Sequence, residues 1–219
     1  NGANDTNHMK QSFRFMIVSS YILCITLFII AFFFPEMVIA FFIKDVEVIR
    51  LGSAYLKIAA ISYLPSVISL CIASAFRALG ETKKPLYISV ISVLTNAVFN
   101  YLLIFGVFGF PKLGVLGAAI ATLIARSVEA LIYLWMLKVS DMPFKTKVSN
   151  IFTFDFELAK RITIRAFPLC VNEIMWSFGM STLVRSYSHR GLVVNTAYSM
   201  SSTISDLFFV LFGGMATAS

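Results

Sequence analysis

Long apolar runs separated by short polar or charged stretches organise this chain. Residues 15–34, 58–76, 85–110, 113–136, 166–184 and 191–219 each come near or exceed the roughly 20 apolar residues that an α-helix needs to cross a bilayer's hydrocarbon core. The runs are continuous and do not alternate apolar with polar, which excludes the short strands of an outer-membrane barrel. The expected fold is all-α, a polytopic transmembrane helix bundle of about six spans. Pro35 and Glu36 end the first run, Arg126 and Glu129 interrupt the fourth, and Glu173 and Asp206 lie within the fifth and sixth.

The connections differ in character. Residues 35–50 are mixed and partly amphipathic, with Glu36, Asp45 and Glu47; residues 77–84 (RALGETKK) are short and basic, with Gly80 suited to a helix C-terminus. Phe110-Pro111-Lys112 reads as a tight turn, so the third and fourth helices should be neighbours. Residues 138–165 form the longest connection, with Lys138, Lys145, Lys147, Lys160, Arg161 and Arg165 and a surface amphipathic part. If alternate connections share a side, that side collects these six residues together with Lys10, Arg14, Arg77, Lys83 and Lys84. The other side holds Lys44, Arg50, Lys112, Arg185 and Arg190, with Lys57 near a helix end. The excess of Lys and Arg marks the first side, and Asn1 with it, as cytoplasmic.

Composition fits this picture. Of 219 residues 58% are hydrophobic and only 13% charged, against about a quarter charged in an ordinary soluble domain. Together with a mean hydropathy of +0.85, this leaves much of the surface to face lipid. The net charge of +7 is spread between apolar runs and forms no single patch, so no nucleic-acid partner is expected. Cys24, Cys71 and Cys170 lie inside apolar runs without CxxC spacing and read as small buried hydrophobes; no metal site is expected. There is no HExxH, P-loop or GxGxxG, and His8 and His189 fall in loops. We expect neither an enzyme nor a cofactor, and no catalytic residue. Asn4-Asp5-Thr6 matches a glycosylation sequon but falls on the cytoplasmic side. The chain starts at Asn1 without an initiator Met and stops within an apolar run, so a piece of a longer protein is expected.

Polar groups at membrane depth are costly and usually face the bundle interior or a cavity. Asn96 and Asn100, four apart, share one face of the third span. Asn100 lies roughly 10 Å from that helix's outer end, and Thr122 roughly 12 Å into the next helix from the same side. The two therefore share a depth on adjacent helices, where they either meet at one ion or water or simply hydrogen-bond the helices together. Arg126 and Glu129, three apart, should form a structural ion pair, since an unpaired charge at this depth is expensive. Asn172 and Glu173 follow Pro168 by about one turn, and a proline kink beside a carboxylate suits a cation or proton site as well as it suits a structural bend. Asp206 follows the hydroxyl-rich stretch SMSSTIS.

Several longer stretches carry a family resemblance. YLKIAAISYLP (55–65), AFRALGETKKPL (75–86), TNAVFNYLLIFG (95–106) and LGVLGAAIATLIAR (113–126) follow one another in the order and spacing of the multidrug and toxic compound extrusion (MATE) family. FPLCVNEIMWSFG (167–179) is similar to the family's seventh helix, and GGMATAS (213–219) to its eighth. The resemblance implies helices three to eight of twelve, in a fold of two six-helix lobes. Residues 1–140 would be the remainder of the N-terminal lobe, 141–161 a cytoplasmic inter-lobe linker, and 162–219 the start of the C-terminal lobe. It implies an antiporter that exchanges H⁺ or Na⁺ for amphipathic, often cationic, drugs and toxic organic compounds by alternating access. The protein would be a multi-pass monomer in the plasma membrane of a bacterium, with membrane lipid, small organic substrates and the coupling cation as its partners. By motif position Asn96, Asn100, Ala118 (through its carbonyl) and Thr122 resemble the N-lobe cation site, which also uses an aspartate on the first helix, outside this chain. Some members carry Asp where Asn100 stands, which leaves H⁺ or Na⁺ open. Glu173 lies on the helix where one branch keeps a C-lobe acid, but closer to Pro168 than in that branch. Other readings are a lipid-linked sugar flippase of the same superfamily, which should line its lobe interface with several cations, and a non-transporting membrane assembly subunit.

Overall fold

A computed structural model describes residues 6–140, 142–146 and 150–218; Asn4 of the sequon and Lys147 of the long connection lie outside them. The described residues form α1 (Thr6–Phe33), α2 (Pro35–Phe42), α3 (Val46–Ala78), α4 (Lys83–Phe105), α5 (Val115–Val139), α6 (Phe156–Ser188) and α7 (Leu192–Ala218). No strand occurs among them.

Several helices outrun the apolar segments that announce them. An apolar run measures the thickness of hydrocarbon to be crossed, whereas a helix continues until its backbone groups find other partners. α3 starts at Val46 because the Asp45 carboxylate accepts the backbone N–H groups of Glu47 and Val48, each at 3.0 Å. Asp155 likewise accepts the N–H of Glu157 at 3.2 Å, so α6 begins at Phe156, ten residues ahead of the apolar run 166–184. The segment 35–42, expected as part of a loop, is the helix α2, with Pro35 at a position where its missing N–H does no harm. Among the described residues four helices, α1, α3, α4 and α5, are long and apolar enough to cross a membrane. α6 has the length but is more polar, with Asn172, Glu173 and four basic residues, whereas α7 is apolar apart from its hydroxyls, Asn195 and Asp206.

The packing order differs from the chain order. α1 lies on α3, α3 on α5, and α5 on α4; α3 and α4 scarcely touch although only a short turn joins them, because α5 lies between them. Gly117, Ala121 and Ala125, spaced by four along α5, are all buried. Small residues in such a stripe let helix backbones approach closely, which is how helices associate without a hydrophobic driving force. α2 packs on α3, and α6 rests on α1 and α2 and pairs with α7. The Arg185 guanidinium sits 4.2 Å from the centre of the Phe41 ring and ties α6 to α2.

A buried apolar cluster lies at one end of the bundle. Phe13 from the start of α1, Cys71, Ile72 and Phe76 from the end of α3, Ile88 from the start of α4 and Tyr133 near the end of α5 surround Phe144 of the long connection. The connection is held there by polar contacts too: Arg14 donates to the Thr146 hydroxyl at 2.7 Å and to the carbonyl and hydroxyl of Thr153 at 2.9 and 3.0 Å. Cys24 and Cys71 are buried as expected, whereas Cys170 is exposed on the lightly packed α6.

This grouping of helix ends makes the orientation testable. In the full-length protein freed of native cysteines, a cysteine introduced at Ser140 should react with a membrane-impermeant reagent only from the cytoplasmic side. One at Lys112 should react only from outside. The reverse pattern would overturn the reading of the Lys and Arg distribution.

Candidate functional site

The polar residues singled out on α4 and α5 meet in a directed chain of hydrogen bonds. Asn100 Nδ2 donates to Asn96 Oδ1 at 2.8 Å, Asn96 Nδ2 donates to Thr122 Oγ1 at 3.4 Å, and the Thr122 hydroxyl donates to the Ala118 carbonyl at 3.0 Å. The local sequence explains the arrangement. Asn96 and Asn100 are one turn apart on α4, as Ala118 and Thr122 are on α5, and the short 106–114 connection folds α5 back along α4. Gly106 takes a left-handed φ of 71° at the end of α4, and Leu113 N–H closes the turn onto the Leu103 carbonyl at 2.8 Å. Gly117 then packs so tightly on α4 that a Cβ there would stand 2.6 Å from the Leu103 carbonyl oxygen.

All four residues are half-buried. The contact across the helices is the longest in the chain, so it holds the two helices only loosely at this level. Asn100 Oδ1 is buried and accepts no hydrogen bond. A buried, unpartnered carbonyl oxygen is unfavourable unless something else uses it. With the Thr122 hydroxyl, the Asn96 amide oxygen and the Ala118 carbonyl close by, it adds to a set of neutral oxygens, the donor type that hard cations take.

Glu173 is not brought to this cluster. It is exposed on α6, which among the described residues packs on α1, α2 and α7 and not on α4 or α5. The expected pair of Arg126 and Glu129 is formed, with Nη1 to Oε2 at 2.9 Å, the carboxylate buried and the guanidinium half-exposed. The sequence reading missed Ser92, whose hydroxyl donates to Glu129 Oε2 at 3.1 Å, with the Ala125 carbonyl at 3.4 Å. The signal was present: Ser92, Asn96 and Asn100 follow one another at intervals of four along the same face of α4.

Long apolar helices and a polar seam confined to one helix interface define a polytopic helical membrane protein. Within that class the chain is similar to the MATE family. The MatE family model matches residues 1–102. The chain is 24% identical to "Probable multidrug resistance protein YoeA" of Bacillus subtilis over 207 residues, 94% of this chain and 45% of that protein. It is 31% identical to "Probable multidrug resistance protein NorM" of Oceanobacillus iheyensis over 136 residues, 62% of this chain and 30% of that protein. It is 39% identical to the protein of the same name from Bacillus anthracis over 98 residues, 45% of this chain and 20% of that protein. The chain thus spans less than half the length of these relatives. No solved structure matches it.

Proposed function

We propose that the full-length protein is a cation-coupled antiporter that exports amphipathic, often cationic, organic compounds by alternating access. Asn96, Asn100, Thr122 and the Ala118 carbonyl would bind the coupling ion, H⁺ or Na⁺, on the α4–α5 face. The observation that carries this reading is the hydrogen-bond chain that gathers these oxygens and leaves Asn100 Oδ1 buried without a donor. The multidrug-resistance names of the relatives support drug export, and their bacterial sources support a place in a bacterial plasma membrane. A monomer divided into lobes near residues 141–161 is part of the same proposal. Glu173 would serve a separate site in the second lobe. The flippase alternative asks for free cations at membrane depth, and Arg126 is engaged by Glu129.

Asn100→Leu tests the reading. An apolar side chain of similar size suits a membrane helix, so folded yield should hold. The cation concentration for half-maximal dye export should rise by at least about tenfold, the low end of what disturbing an ion's supporting groups costs. Asn96→Leu should behave alike. Asn100→Asp should be milder and should make export newly sensitive to pH, because the introduced carboxyl takes up and releases a proton. Export by Asn100→Leu at the unmutated rate across pH and Na⁺ would reduce these amides to helix-packing groups and turn attention to Glu173. No dye export by the unmutated full-length protein would favour the assembly-subunit reading.

A further inference from the structure

We infer that Glu129, acting through Ser92, is a positioning residue for the ion site: the two fix the distance between α4 and α5 at which the amide chain is assembled. This rests on the proposed cation-binding role of that chain. The seam they complete is continuous. On α4 it runs Ser92, Asn96, Asn100 at intervals of four; on α5 it runs Ala118 carbonyl, Thr122, Ala125 carbonyl, Glu129 along one face. Among the described residues two hydrogen bonds join side chain to side chain across the helices, and they are unequal. Asn96 to Thr122 is neutral and 3.4 Å long, near the limit of a hydrogen bond. Ser92 to Glu129 is 3.1 Å and ends on a carboxylate, and a hydrogen bond to a charged acceptor is about twice as strong as a neutral one. The stronger tie is also the more deeply buried: Ser92 is 5% and Glu129 6% exposed, while Asn96 and Thr122 are half-buried.

The carboxylate can hold this place because it is itself held. Arg126, one turn beyond Thr122 on α5, pairs with the same Oε2 at 2.9 Å. Tyr133, one turn further along α5, is buried near Glu129 and near Arg77 of α3, while Ser92 arrives from α4. At the other end of the interface, Gly117 packs against Leu103. The ion site therefore lies between a steric stop and an electrostatic clamp. Releasing the clamp lets α4 move away from α5 at the level of Asn96 and Thr122, where no strong bond opposes it.

The test compares Ser92→Ala and Glu129→Gln in the full-length protein, measuring dye export per folded molecule against Na⁺ and against pH. Ser92→Ala leaves the Arg126–Glu129 pair in place and should fold. It should raise the cation concentration for half-maximal export by about tenfold with an unchanged maximal rate, as loss of a group that orients an ion's ligands does. Glu129→Gln should shift the curve further and also lower folded yield, since it leaves a guanidinium unpaired. If both variants lose yield alone, with the cation curve per folded molecule unmoved, Glu129 and Ser92 are structural only and the inference fails. Asn100→Leu, run in parallel, separates the two readings. A shifted curve there with none in Ser92→Ala sinks the clamp and keeps the site, whereas no shift in any variant sinks the site itself.

Discussion

Gly117→Val should force α4 away from α5 and leave the full-length protein poorly folded and unable to export. A Cβ at this position would lie 2.6 Å from the Leu103 carbonyl oxygen and 2.7 Å from its carbon, distances that Cβ atoms do not tolerate. The obstructing atoms are backbone, fixed in the last turns of α4 and in the Leu113–Leu103 hydrogen bond, so no side-chain rotation relieves the clash. Even Gly117→Ala should destabilise. Glycine to alanine gains about 1 kcal/mol of helix propensity, but overpacking a tight contact costs about 1–3 kcal/mol. With backbone on the other side, the upper end applies and the net loss is about 1–2 kcal/mol. Valine adds two methyl groups, forfeits most of the propensity gain and should fall beyond that range. Thermal unfolding in detergent measures the first effect, and cation activation of export by the alanine variant the second, since the same displacement stretches Asn96 from Thr122. An alanine variant as stable as the unmutated protein would mean that α4 and α5 do not approach this closely.

The interface that carries the candidate site was largely legible in the sequence because it obeys local rules. Asn96 and Asn100 share a face by helical period, Thr122 and Ala118 do likewise, and a short turn brings the two faces together. Depth arithmetic from the turn set Thr122 level with Asn100 and was one turn off, since Thr122 meets Asn96; the Arg126–Glu129 pair followed from three-residue spacing. Length was less legible. Thr6–Phe33, Val46–Ala78 and Phe156–Ser188 each begin with a polar stretch that hydropathy discards, although Asp45 and Asp155 mark two of those starts as caps. The packing order could not be read at all. Whether α5 inserts between α3 and α4 depends on the small-residue stripe of Gly117, Ala121 and Ala125 finding a partner on one side while other residues of α5 meet α3. Sequence spacing gives the stripe but not what it touches. Glu173 shows the same limit: its spacing from Pro168 is visible, but what faces it depends on how α6 is set against the rest.

Phe144 is the residue that local rules miss most completely, and its removal should cost more than that of any other side chain in the long connection. It lies in a basic connection without helical or strand period, where Phe144 stands apart from Phe152, Phe154 and Phe156 and carries no pattern. In the structure it is 1% exposed, with its ring centre 4.9 Å from that of Phe13 and 5.8 Å from that of Phe76, the latter edge-on. It thereby joins the start of α1 to the end of α3 and seals the cluster that also holds Ile88 and Tyr133. Beside it is a cavity of about 200 Å³ lined by Met9, Ser12, Met16, Ser74 and Leu79. Phe144→Ala would merge the vacated ring volume with that cavity, so the site has little scope to collapse, and the loss should reach about 3–5 kcal/mol. Phe144→Leu should retain part of this, and Arg14→Ala should lose much less, because the hydrogen bonds it removes are partly exposed to solvent. The connection leads directly into α6, so freeing its anchor should also lower export while leaving the half-maximal cation concentration unchanged, since the amide chain lies elsewhere, between α4 and α5. Denaturation of the full-length protein in detergent decides the matter. A Phe144→Ala variant within about 0.5 kcal/mol of the unmutated protein, the range of ordinary surface substitutions, would show that this ring does not hold the connection to the bundle.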